Sequence, residues 1–236
     1  MKNYFIKSLQ LVLIVFVSMI LIECSSYKKL INYTFKDHTA SAIVTAAPWA
    51  DVFTDSFIQI DKGNLFRTIL NVGSTIVKEV EAGKVKTLLD SAMKQVNVPE
   101  RIKNRTLEKG ADFLHYRPIQ EHTQSDYMFD IHIKDYGIDA KSWDAGVYFR
   151  IDIIVNLIDN RTGKQIWKKH VQERKPMSRT IFSLGGTTTS NIINAIMLSN
   201  LSVEEMIKGF QYLADYTADR IIQKLQKDYA KSRAHK

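Results

Sequence analysis

The side chains best suited to chemistry are six histidines and a run of aspartates. Asp130, Asp135, Asp139, Asp144 and Asp152 fall in one stretch around His132, and His170 follows. Paired carboxylates can move protons in acid–base catalysis. No His-x-x-x-His or Cys/His spacing accompanies them, so the pattern does not specify a zinc site. The run from Gly137 to Gly146 lacks the alternating Asp/Asn of a calcium loop. Asp130 and Asp152 alternate with apolar residues, which assigns them to the solvent face of strands, with His132 and His170 as neighbours on that outer face. No Gly-x-Ser-x-Gly elbow is present. Leu184 to Asn191 is rich in Gly, Thr and Ser and precedes an apolar run. Such a loop can cradle phosphate at a helix start, but the Gly-Lys-Ser/Thr ending is missing. The expectation is a chain that is not an enzyme, with no cofactor and no metal.

Cys24 offers a different chemistry. It is the one cysteine, so an intramolecular disulfide and a cysteine-based metal cluster are both excluded. Lys2 and Lys7 precede an apolar run from Ser8 to Ile22 that stops at Glu23. That run fits a signal-peptide core and is shorter than the roughly 20 residues that span a bilayer. The order Leu21-Ile22-Glu23-Cys24 resembles the lipobox of bacterial lipoproteins, with Glu23 where that motif carries Gly, Ala or Ser. The resemblance implies a diacylglyceryl group on the Cys24 thiol and a membrane anchor. A plain signal peptide and an uncleaved anchor are the alternatives. The expected organisation is a leader over 1–23, a tether over 24–40, one α/β domain over 41–230 and a polar tail over 231–236.

The chain has 236 residues, 45% hydrophobic and 25% charged, enough for a domain with a sizeable core. Its net charge of +8 can favour anionic partners. No aromatic RNA-binding signature or paired-cysteine finger is present, so nucleic acid is not expected as a partner.

The elements that must position these residues centre on Asp126 to Val171. Val147, Phe149, Ile151, Ile153, Val155 and Leu157 occupy every odd position of a strand with one buried face. Tyr127, Phe129, Ile131 and Ile133 alternate likewise, and Gly137 to Gly146 reads as the loop between the two strands. Asp159 to Lys164 is a turn, with Gly163 suited to positive φ. Gln165 to Val171 follows as a charge-protected edge strand. Ser41 to Ala47 is a further short strand, and Phe53 to Ile60 is a loop or a weak extra strand. Leu65 to Val96 has helical spacing, interrupted at Gly83. Pro99 opens a helix ending near His115. Ser202 and Glu205 form a capping box ahead of a helix reaching Lys227. Ile192 to Leu198 is a short helix over the core or an exposed docking patch.

The fold class expected is α/β of the α+β type. It has one antiparallel or mixed sheet of about four strands, with two or three long helices on one face. The segment Val155 to Trp167, a strand ending in Leu-Ile-Asp, a Thr-Gly-Lys turn and then Ile-Trp, is similar to a hairpin in small periplasmic lipoproteins. That group includes curli-secretion (CsgG-like) proteins, the amino-terminal domain of TolB, and LpoB. The resemblance implies a non-enzymatic envelope component, facing the periplasm, that binds another envelope protein. A carrier for a lipid or hydrophobic ligand is the alternative, and an envelope hydrolase comes third.

Overall fold

The computed structural model describes residues 27–46, 58–61, 67–70, 84–85, 87–89, 91–139, 146–182 and 192–234. Cys24, the leader and the Gly185–Asn191 loop lie outside them. The centre is β6, Tyr148–Asp159, whose odd positions are buried without interruption. Phe149, Ile151, Ile153, Val155 and Leu157 are each at most 3% exposed. Burying each such side chain stabilises the fold by about 1.5–3 kcal/mol.

Five strands make one open mixed sheet, in the order β4-β1-β5-β6-β7. They are β1, Thr39–Ala46; β4, Arg117–Pro118; β5, Tyr127–Asp139; β6; and β7, Lys164–Pro176. A two-stranded antiparallel ribbon, β2 at Ile58–Asp61 and β3 at Arg67–Leu70, is separate from it. The hairpins β5–β6 and β6–β7 are antiparallel, whereas β1 runs parallel to both β4 and β5. A parallel neighbour needs a crossover. The crossover includes helix α1, Val98–Leu114, which packs on β1. Asn97 caps α1 by accepting the Glu100 N–H at 3.1 Å, with Pro99 in the first turn. A five-residue helix, α2, spans Ala195–Ser199, and the long helix α3 spans Val203–Ala234. The capping box of α3 is closed in both directions, from the Ser202 N–H to Glu205 at 2.7 Å and from the Glu205 N–H to Ser202 at 3.1 Å.

The sheet fits the expected antiparallel or mixed sheet of about four strands, with the two-residue β4 as a fifth. Other expectations are corrected. Leu65 to Val96 is not helical throughout, because 67–70 pairs as a strand with 58–61. Two apolar residues at helical spacing cannot outweigh strand pairing over so short a run. The strand before β6 runs on to Asp139, past Gly137 where the loop was expected to begin. Ile133 pairs with Ile153 and Asp135 with Asp152, so Lys134 is an extra residue at a β-bulge. The bulge changes the phase, and Tyr136 and Ile138 turn inward where even positions had faced out. A second bulge at Ile166 leaves both Ile166 and Trp167 buried.

β7 is an edge strand, as its charges suggest. Gly163 in the β6–β7 turn has φ +66°. The stretch read as a tether contributes Leu30 and Phe35 to the core. Ile192 to Leu198 covers core, with Ile193 and Leu198 buried and Ile196 exposed.

Candidate functional site

The outer face of the sheet gathers the aspartates and histidines. Cross-strand register arranges them in rows. Asp130 on β5 stands opposite Asn156 on β6, which stands opposite Lys168 on β7. The next row is Thr45, His132, Ile154 and His170, and the one after it is Asp135, Asp152 and Gln172. His132 and His170 therefore share a row, but they are not neighbours. Ile154 separates them, and two strand spacings amount to about 10 Å.

Each imidazole is held by a carboxylate. His132 Nε2 lies 2.7 Å from Asp130 Oδ2, and its Nδ1 lies 2.6 Å from the Thr45 hydroxyl. Asn156 Nδ2 donates to the same Asp130 oxygen at 3.3 Å. His170 Nε2 lies 2.7 Å from Asp152 Oδ1, while Gln172 donates to Asp152 Oδ2 at 2.7 Å. Burial pushes the Asp152 carboxyl up, but the bonds from Gln172 and His170, with Lys134 nearby, outweigh it and hold the pKa below the ordinary carboxylate value. Arg150 pairs with Asp135 at 2.9 Å, and the Arg174 guanidinium lies 3.6 Å from the centre of the Tyr148 ring. A shallow recess of about 380 Å³ runs over Arg150, Asp152, Gln172 and Arg174. The structure thus joins Asp130 to His132 and Asp152 to His170; Asp139 has no described side chain and Asp144 lies outside the described residues.

A hydroxyl, an imidazole and a carboxylate in line could pass a proton. Acyl transfer also needs donors aimed at the developing oxyanion. The N–H groups of β6, and of β5 over Tyr127–Ile133, lie in the plane of the sheet and serve its ladder, since these stretches have a partner on both sides, whereas β1 is paired with β4 only at Thr39 and Ala40. What the network does by geometry is fix the side chains of an open face in one arrangement.

The inward face does structural work. Asp228 on α3 is 6% exposed and accepts from Trp167 Nε1 at 3.1 Å and from Lys169 Nζ at 3.0 Å. Arg220 on α3 pairs with Glu173 on β7 at 2.7 Å. Arg101 on α1 binds both oxygens of Asp215 on α3, each at 2.8 Å. Beside that pair, a cleft of about 410 Å³ is lined by Glu100, Asn104, Arg105 and Gln211. Burial drives the Tyr136 hydroxyl up to about 12, and it raises Tyr116 further, with Asp112 adding to it. Tyr116 donates to the Leu107 carbonyl at 2.6 Å. At the start of the sheet, the Thr39 backbone N–H reaches Asp126 at 2.9 Å and holds its carboxyl below the usual range, against burial and with help from the Thr39 hydroxyl and His38.

Sequence reasoning missed Asp228 and Glu173, because their partners come from a distant element. Among the described residues, no three His, Cys, Asp or Glu side chains are grouped to hold a metal ion. No described helix is long and apolar enough to cross a membrane.

No family model matches this chain, and no curated protein matches it. Among solved structures it is similar to protein XCC0632 of Xanthomonas campestris, assigned to DUF330, at 10% identity and a TM-score of 0.33 over 82% of this chain and 91% of that one. It is also similar to two PelC dodecamers from Paraburkholderia phytofirmans. Both are 8% identical with a TM-score of 0.29, covering 75% and 76% of this chain and 88% and 90% of theirs.

Proposed function

We propose that this chain is a lipid-anchored envelope protein that works by binding another envelope protein and does no catalysis of its own. The observation that carries the reading is the outer sheet face. Its polar side chains are locked in cross-strand pairs around Ile154, in rows running from β1 to β7. Prearranged side chains lose little conformational freedom on docking, which favours association. The clefts beside Arg101 and Arg150 are lined by charged and amide groups, whereas a lipid carrier needs predominantly apolar walls. In this reading the domain expected over 41–230 also takes in Leu30, Phe35 and the end of α3, with its long helices on the inner face, and Cys24 carries the lipid that holds it at the membrane on the periplasmic side.

Two measurements test it. The intact mass of the protein from the membrane fraction, beside Cys24→Ala, reports the anchor. A species beginning at Cys24 with acyl mass, lost in the variant, is the expected result. A photocrosslinking residue at Ile154 or Lys168, compared with one at Glu108 on α1, reports the docking face. Crosslinks to one envelope protein from the first two positions only are expected. Equal crosslinking from all three sites, or from none, refutes the docking face.

A further inference from the structure

The end of the molecule where the amino-terminal segment joins the fold carries a basic collar. Residues 28–38 are held there by an aromatic cluster. The Phe35 and Tyr127 rings are 4.7 Å apart, Phe35 and Tyr229 are 6.4 Å apart, and the Tyr127 hydroxyl donates to the Thr34 carbonyl at 2.9 Å. Leu30 is fully buried. Two arginines bracket the cluster, Arg161 lying 5.7 Å from the centre of the Tyr127 ring and Arg233 lying 4.8 Å from that of Tyr229. Lys29, Lys36, Lys164 and Lys231 are exposed around them. These six cations come from three separate segments: the amino-terminal stretch ahead of β1, the β6–β7 turn with the first residue of β7, and the last turns of α3. The carboxylates of this end are Asp37, Asp112 and Glu121, which are exposed, Asp126, which is half-buried, and Asp159 and Asp228, which are buried, Asp159 pairing with Arg161 at 3.4 Å.

Covalent reach sets where this end must sit. Three peptide steps separate Cys24 from Tyr27, so Tyr27 can lie no more than about 11 Å from the Cys24 Cα. A domain held by so short a link keeps the collar within about one or two Debye lengths of the headgroups, where charges still feel one another. We propose that the collar formed by Lys29, Lys36, Arg161, Lys164, Lys231 and Arg233 seats this end of the domain on an anionic phospholipid surface. The diacylglyceryl chains hold the protein at the membrane, and a basic patch beside them adds an attraction to anionic headgroups that selects which end of the domain faces the surface. Seating this end also orients the molecule, with the strand axes rising from the membrane and the outer sheet face standing to the side. The inference rests on the lipid-anchor reading.

The test uses the full chain reconstituted with phosphatidylcholine vesicles or with mixed phosphatidylcholine–phosphatidylglycerol vesicles. Lysines are labelled with an amine-reactive reagent and read by mass spectrometry. Lys29, Lys36, Lys164 and Lys231 should be protected on the anionic vesicles only, and high salt should abolish the protection. Lys94 and Lys208, exposed at the opposite end, should label alike on both. Lys164→Gln and Lys231→Gln should each weaken protection of the remaining collar lysines about fivefold, the fold-change of ~1 kcal/mol per surface cation. Equal labelling of both ends on both vesicles overturns the proposal. The same sample reports the acyl mass on Cys24. An acylated chain without protection overturns the seat and leaves the anchor. An unacylated chain that still docks by this end on anionic vesicles supports the seat and overturns the anchor. An unacylated chain that ignores both vesicles overturns both.

Discussion

Asp228→Ala is the substitution whose consequence follows most directly from the geometry. The carboxylate is 6% exposed and joins α3 to β7 through Trp167 Nε1 and Lys169 Nζ. Trp167 is fully buried, so losing its acceptor strands an indole N–H inside the protein. A stranded donor of that kind costs about 1–3 kcal/mol. The Lys169 side chain is 35% exposed and can turn its ammonium to water, so losing that pair adds no more than about 1 kcal/mol. The expected total is about 1–4 kcal/mol of lost stability. Asp228→Asn keeps an acceptor for the indole and removes only the charge, so it should cost about 1 kcal/mol or less. Urea unfolding followed by tryptophan fluorescence and by far-ultraviolet circular dichroism measures both variants. If Asp228→Ala and Asp228→Asn lose the same stability, the indole bond contributes nothing and the reasoning is wrong. Trp167→Phe in the Asp228→Ala background supplies the cross-check. The two losses should fall short of additive by about 1 kcal/mol, because the second change removes a donor that the first had already stranded.

Three other outcomes are expected. A Cβ at Gly209 would lie 2.7 Å from Phe182 Cε1, and Phe182 is buried. Gly209→Ala should therefore destabilise by about 1–3 kcal/mol although alanine is the better helix former, as thermal unfolding will show. Ser202→Ala opens the capping box and should cost about 0.5–2 kcal/mol, with faster amide exchange confined to the first turn of α3. The folded state depresses the Asp152 carboxyl, so its contribution is complete above the unfolded value near about 4 and is lost as pH falls through the lower folded value. Asp152→Asn should accordingly flatten the acid limb of the stability–pH curve and leave its slope near neutrality unchanged. A variant that changes the slope near pH 7 instead would contradict that assignment.

What could be read from the sequence alone was local. The alternation from Val147 to Leu157 specifies a strand with one buried face, because side chains on a pleated backbone alternate whatever the partner strands are. The Ser202–Glu205 capping box and the turn at Gly163 depend on residues within three or four positions of one another, and both are present. The edge position of β7 was legible in Lys168, Lys169 and His170 for a similar reason, since exposed edges carry charge. Tertiary structure decided the rest. The bulge at Lys134 re-phases β5, and only the register against β6 shows why Tyr136 and Ile138 belong to the core. The parallel place of β1 between β4 and β5 depends on a crossover that no local pattern announces. Strand pairing overrides the helical spacing at 67–70. His132 and His170 share a row but are parted by Ile154, and Asp228 meets Trp167 across 61 residues of sequence. Periodicity tells which way a side chain points, but the side chain it meets is set by register and packing between elements far apart in the chain.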